Sequence, residues 1–77
     1  MDQFTVYTQA GCGFCAKAIE FLELSGAEVE YIDIRLVDGA LAMMRTNGFK
    51  TVPQIYHGTH HIGGYEELVQ YMEASTK

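Results

Sequence analysis

The sequence predicts a small α/β domain with four strands and three helices in the order β-α-β-α-β-β-α. Stretches near residues 3–7, 28–34, 52–57 and 60–62 are rich in β-branched and aromatic residues, and the second alternates apolar with polar side chains cleanly. From Gly13, Asp38 and Tyr65 the apolar residues instead recur near the helical period. Turn-forming residues at Gly26, Asn47-Gly48, Gly58-Thr59 and Gly63-Gly64 mark the changes of period.

Taken in order, Gln3 to Tyr7 reads as a strand with Phe4, Val6 and Tyr7 turned inward. Thr8 to Gly11 is a loop. The first helix runs from Gly13 to about Ser25, with Cys15, Ala18, Phe21 and Leu22 on its buried stripe and Ile19 and Leu24 widening it. Gly26 closes this helix as a C-cap glycine. Residues 28–34 form the second strand. Asp38 is expected to cap a short helix carrying Leu41, Met43 and Met44, with the methionines as core filler, and Asn47-Gly48 ends it. Val52 to His57 forms a third strand and His60 to Ile62 a fourth, joined by the Gly58-Thr59 turn. The last helix starts at Tyr65, buries Leu68, Tyr71 and Met72, and carries Glu66 and Glu67 where they suit the positive end of its dipole. Ala74 to Lys77 reads as a frayed tail.

Seventy-seven residues make one domain, residues 1–77, large enough to bury a core of its own. The chain has ten acidic and five basic residues, a net charge of −5, so no basic patch can neutralise phosphates and nucleic acid is not an expected partner. No apolar run approaches the ~20 residues of a membrane span, and the Met-Asp-Gln-Phe-Thr-Val start lacks the charged and apolar regions of a secretory signal. With two cysteines and no signal, the expected setting is the reducing cytoplasm, and the expected state a monomer.

The chemistry concentrates at Thr8-Gln-Ala-Gly-Cys-Gly-Phe-Cys15, where a strand gives way to a helix. A Cys-x-x-Cys pair in that position suggests dithiol–disulfide exchange. If Cys12 caps the helix, its sulfur faces the unpaired N–H groups of the first turn, and their partial positive charge favours thiolate, the nucleophilic form. Cys15, one turn inward, can resolve a mixed disulfide on Cys12. Gly13 leaves room for a partner, and Phe14 offers an apolar face beside the sulfur. Two other readings of the pair stand beside this one. It could be half of a zinc site completed by His57, His60 and His61, although zinc fingers place such histidines about a dozen residues downstream and here they lie more than forty away. It could also be a structural disulfide, although so short a loop would staple little. The histidines themselves read as surface or strand-edge residues, and no metal site is expected.

Three motifs extend this reading: Cys12-Gly13-Phe14-Cys15, Thr51-Val52-Pro53-Gln54-Ile55 and His61-Ile62-Gly63-Gly64-Tyr65-Glu66. Together, and in this order of elements, they resemble the thioredoxin fold and within it the dithiol glutaredoxins, over essentially the whole chain. The resemblance implies a four-stranded mixed sheet with three helices. It also implies an enzyme in which Cys12 attacks disulfides, Cys15 resolves them, and glutathione is the reductant, with no tightly bound cofactor. Disulfide-containing proteins would be the substrates. An X-Pro bond is cis only ~5–6 % of the time, so the residues alone predict a trans Pro53; the resemblance implies a cis one. It further implies that Pro53 aims the Val52 N–H and C=O at an extended disulfide substrate, as in strand addition, with Thr51, Val52 and Pro53 all among the residues that bind glutathione. Gly63 and Gly64 would admit a glutathione carboxylate to the N–H groups of Tyr65 and Glu66, with Glu66 or Glu67 facing the α-amine.

The chain departs from this family pattern at several places. Gln9 stands where glutaredoxins usually carry a lysine, so it can hydrogen-bond glutathione but supplies no charge, and Lys50 or Arg45 would have to substitute. Gly13-Phe14 replaces the common Pro-Tyr and is similar to the monothiol glutaredoxins that carry iron–sulfur clusters, yet Cys15 and the short preceding loop are unlike them. A cluster carrier is therefore the rival from outside enzymology. Gly48-Phe49-Lys50 resembles the redoxins that thioredoxin reductase recharges and that serve ribonucleotide reductase, although their tryptophan segment is missing here, there being no tryptophan in the chain.

Overall fold

The computed structural model describes residues 3–75. Phe4–Thr8 forms β1, an inner strand of a four-stranded sheet ordered β2-β1-β3-β4, with β2 at Val29–Asp33, β3 at Gln54–His57 and β4 at His60–Gly63. β1 runs parallel to β2, with Phe4 opposite Val29, and antiparallel to β3, with Val6 opposite Ile55; β3 and β4 form an antiparallel hairpin with an irregularity at Ile55/Tyr56. The helices are α1 at Gly13–Leu24, α2 at Ala40–Thr46 and α3 at Tyr65–Ser75. This is the thioredoxin-like arrangement that the motifs imply.

Alternation along β1 divides the core in two. Phe4 and Val6 face one side, where they pack with Ala18 and Leu22 of α1, Ile55 of β3 and Leu68 of α3. Val6, Leu22, Ile55 and Leu68 are fully buried, each side chain worth about 1.5–3 kcal/mol against exposure. Tyr7 falls on the opposite face and joins Ile32, Ile34, Ala40, Met44 and Phe49 beneath α2. Tyr7 thus belongs to a second core, apart from that of Phe4 and Val6.

The ends of α1 are built by local chemistry. Gly26, at φ +78°, donates its N–H to Glu23, and Ala27 donates to Leu22, the paired bonds of a Schellman motif. Leu24 is 81 % exposed: it lies two residues past Leu22, off the stripe that Ala18 and Leu22 define. Leu41 is likewise exposed, and of the two methionines Met44 is fully in the core, with Met43 packed at its margin. Asp38 does not cap α2. The residue before the helix is Gly39, which has no side chain to cap with, and the Ala40 N–H goes to the Val37 carbonyl at 3.1 Å. A backbone turn there takes the place of the expected carboxylate.

β3 starts at Gln54 rather than Val52, since Pro53 has no N–H to give a ladder. Helix α3 continues through Ala74 and Ser75, past the point where fraying was expected, while Thr76 and Lys77 lie outside the described residues.

Candidate active site

Cys12 is the N-cap of α1, in extended backbone at φ −90° and ψ 110°. Its sulfur accepts the Cys15 N–H at 3.2 Å, the bond a Ser or Asp side chain makes at an ordinary helix start. The Cys12 thiol also lies 3.7 Å from the Val52 carbonyl oxygen, to which it donates. Both cysteines are free thiols, Cys12 half-buried and Cys15 2 % exposed. Burial pushes the Cys15 thiol above its ordinary range, and its hydrogen bond with Cys12 adds to the effect; contacts with Thr8 and the Gln9 backbone oppose without cancelling it. Cys15 therefore holds its proton, a thiol beneath the accessible sulfur of Cys12.

Val52 is brought to the sulfur by the segment between α2 and β3, and the Val52-Pro53 bond is cis. Two grooves meet there. The first, of about 180 Å³, is lined by Phe14, Thr51, Val52, Pro53, Gly64, Tyr65, Glu66 and Glu67. Phe14 is 56 % exposed, its ring centroid 6.2 Å from that of Tyr65, with the Lys17 ammonium 5.2 Å from the Phe14 ring. The second, of about 390 Å³, runs the other way from Thr51 and Val52, past Gln9, Lys50 and Arg45, over a floor of Ile34, Met44 and Phe49. The expected site residues thus divide: Gln9 and Lys50 on one side, Phe14, Pro53, Gly64, Tyr65 and Glu66 on the other, Thr51 and Val52 common to both.

The start of α3 holds a detail that residue types did not announce. Glu67 folds back so that its Oε1 accepts the Gly64 N–H at 2.9 Å. A carboxylate of the chain itself thereby takes the N–H group just before those of Tyr65 and Glu66, which were the ones expected to receive a ligand carboxylate, and the Gly64-x-x-Glu67 spacing of a capping box is the signal for it. Gly63, at φ +124°, lines neither groove but makes room for this fold-back, since a Cβ there would come within 3.0 Å of Glu67 Cγ.

The histidines are engaged in ring contacts and hydrogen bonds. His57 stacks on Phe4 at 4.2 Å and its Nδ1 meets the Tyr71 hydroxyl at 2.6 Å. His61 stacks on Phe49 at 4.6 Å, with its Nε2 2.7 Å from Gln54 Oε1. Among the described residues no three His, Cys, Asp or Glu side chains are placed to hold a metal ion together, and no helix is long and apolar enough to cross a membrane.

A glutaredoxin family model matches residues 4–62. A glutaredoxin of Neisseria meningitidis serogroup B is 34 % identical over 77 aligned residues, covering 95 % of this chain and 88 % of the relative. The hybrid peroxiredoxin hyPrx5 of Haemophilus influenzae is 34 % identical over 70 residues, and there the chain spans only 29 % of the relative's length. Among solved structures, glutaredoxin from Brucella melitensis superposes with a TM-score of 0.79 at 32 % identity, over 99 % of this chain and 84 % of that one. With its cysteine pair at the start of α1 and these relatives along nearly its full length, the chain belongs to the glutaredoxin family and is a thiol–disulfide oxidoreductase.

Proposed function

We propose that the protein reduces glutathione mixed disulfides and protein disulfides through Cys12-Gly13-Phe14-Cys15, with glutathione as its reductant and no tightly bound cofactor. The observation that carries this is the opposite charge of the two grooves meeting at Val52. The first has Glu66 and Glu67 and no cation among its lining residues; the second has Arg45 and Lys50 and no carboxylate. Glutathione has an ammonium group and a carboxylate at its γ-glutamyl end, a carboxylate alone at its glycine end and its sulfur between them; with the first carboxylate taken by the N–H groups at the start of α3, the remaining charges match that polarity. Its γ-glutamyl amine lies by Glu66, its cysteine backbone pairs with Val52, and its glycine carboxylate lies by Arg45 and Lys50.

The steps use the chain's own groups. The Cys12 thiolate attacks the glutathione sulfur of a mixed disulfide, a Cys12–glutathione bond forms, and the departing thiolate takes a proton from solvent. A second glutathione thiolate then attacks the bound glutathione sulfur, releasing oxidised glutathione and the Cys12 thiolate. With a protein disulfide, Cys12 becomes linked to substrate. Cys15 then yields its proton to the leaving thiolate and attacks the Cys12 sulfur, leaving a Cys12–Cys15 disulfide that two glutathiones reduce.

The test is turnover of a glutathione–peptide mixed disulfide, coupled in one arm to glutathione with glutathione reductase and in the other to thioredoxin reductase, NADPH oxidation being followed in both. Turnover in the first arm is expected. Turnover in the second alone would overturn the choice of reductant and make the chain a redoxin of the kind that can serve ribonucleotide reductase. Iron in the freshly purified protein would overturn the absence of a cofactor.

A further inference from the structure

We propose that Gln54 is a positioning residue that aims the Val52 N–H at substrate, and that His61 fixes which way the Gln54 amide points. This rests on the reading above, in which Val52 pairs with an extended substrate. Gln54 is the one polar side chain buried among the described residues, 9 % exposed, directly after Pro53. A buried amide is kept where its hydrogen bonds are made. Its Nε2 donates to the Thr51 carbonyl at 3.0 Å, with the Thr51 hydroxyl at 3.5 Å, and its Oε1 meets His61 Nε2 at 2.7 Å.

The consequence follows from peptide geometry. The Thr51 C=O and the Val52 N–H belong to one planar unit and point in opposite directions, because this bond is trans. Holding the carbonyl on the Gln54 side turns the N–H to the other side of the strand. The next carbonyl, that of Val52, is the one beside Cys12. One buried amide thus sets the orientation of a donor that neighbours the nucleophile's own contact.

An amide can satisfy the Thr51 carbonyl only with its nitrogen, so its oxygen must face His61, and His61 must carry a proton on Nε2. The His61 ring is held for this by stacking on Phe49 at 4.6 Å and against Tyr56 at 5.0 Å. Phe49 in turn is tied to α2 by its N–H bond to the Met44 carbonyl, 2.8 Å. The segment carrying Thr51 and Val52 is thereby fastened to β4 through side chains, where Pro53 offers the sheet no N–H.

The experiment compares a neutral peptide disulfide, the oxidised dimer of N-acetyl-Gly-Cys-Gly amide, with hydroxyethyl disulfide, which has no backbone to pair. Wild-type protein is expected to have a lower KM for the peptide. Gln54→Met, which keeps the volume and loses both bonds, is expected to raise the peptide KM ~10-fold with little change in kcat, so that the preference over hydroxyethyl disulfide collapses. His61→Phe keeps the ring stack and loses the donor, and is expected to lower the preference ~2–4-fold; His61→Gln, which restores a donor, should recover part of it. If Gln54→Met does not fold, the two His61 variants decide. A wild-type protein with no preference for the peptide overturns the Val52 pairing and with it the role of Gln54. A wild-type preference that survives in Gln54→Met, or in His61→Phe, overturns the positioning role alone.

Discussion

The Cys12 sulfur lies 3.7 Å from the Val52 carbonyl oxygen, across forty residues of sequence. The proposed nucleophile and the backbone proposed to align its substrate are therefore one contact, made by the start of α1 and the segment leading into β3. A disulfide laid along Val52, as proposed, would have its sulfur beside that of Cys12. Cys15 sits beneath, protonated and nearly inaccessible, and cannot open the reaction. Cys12→Ser is expected to abolish all turnover. Cys15→Ser should still turn over glutathione mixed disulfides, where free glutathione resolves the intermediate, and should lose protein disulfides that need both thiols. Steady-state rates on the two substrates check this; an active Cys12→Ser would reverse the roles.

Gln9, Arg45 and Lys50 line one groove, so the two cations share that groove with position 9. Lys50→Ala and Arg45→Ala are each expected to raise the KM for glutathione ~2–5-fold, the scale of a solvent-screened pair. Gln9→Lys should lower it by a similar factor, since a third cation adds to the same carboxylate field. The dependence should weaken with added salt. Unchanged KM values in all three variants would mean that side-chain charge in this groove does not reach the ligand.

How much of this was legible in the sequence depends on the range of the interaction concerned. The seven elements follow from local periodicity, and Cys12 as a cap follows from its place at a change of period. Leu24 faces solvent despite its apolar identity, because identity alone does not reveal which side of a helix a sheet will cover. Asp38 failed as a cap because the preceding turn supplied a carbonyl instead. Pro53 could not be read as cis from its neighbours, and only the family motif indicated it. Gln54 with His61 was invisible, because it joins one strand to the next through side chains whose facing depends on the irregularity at Ile55/Tyr56. Glu67 on Gly64 was within reach of the sequence, through its capping-box spacing.

Adjacent glutamates at the start of α3 should behave oppositely. Glu67 accepts the Gly64 N–H, so Glu67→Ala opens that donor to a substrate carboxylate and removes a helix cap. The expected result is a lower KM for glutathione mixed disulfides together with a stability loss on the order of 1 kcal/mol, a Tm lower by several degrees. Glu66→Ala removes the carboxylate proposed to face the substrate amine, so KM should rise ~2–5-fold with Tm little changed. Gly63→Ala should reproduce the stability loss, since its methyl would press on Glu67 Cγ at 3.0 Å in a backbone conformation that L-residues rarely adopt. Thermal melts and KM values on the three variants decide; a KM that rises equally in both glutamate variants would mean that Glu67 leaves Gly64 to bind the amine.

Stability should fall at alkaline pH through Cys15. Burial raises the pKa of this thiol in the folded protein, with the Cys12 hydrogen bond second, while an unfolded cysteine titrates near ~8.5. Above that value the unfolded chain has released the proton and the folded chain keeps it. The unfolded state then binds fewer protons, so stability declines as pH rises, by at most ~1.4 kcal/mol per pH unit for one group. Below the unfolded value both states are protonated and the contribution is fully present. Tyr7, raised by burial and then by Tyr56 and Glu30, adds a further decline only from about pH 10 upward. Cys15→Ser removes the first of these and leaves the second. Urea unfolding of the reduced wild type and of Cys15→Ser between pH 7 and 10 should therefore give a constant difference below about pH 8 and one that narrows or inverts above it, as the wild type alone loses stability. Curves that stay parallel to pH 10 would show that Cys15 ionises as readily in the fold as out of it, and that its proton is not what keeps it from competing with Cys12.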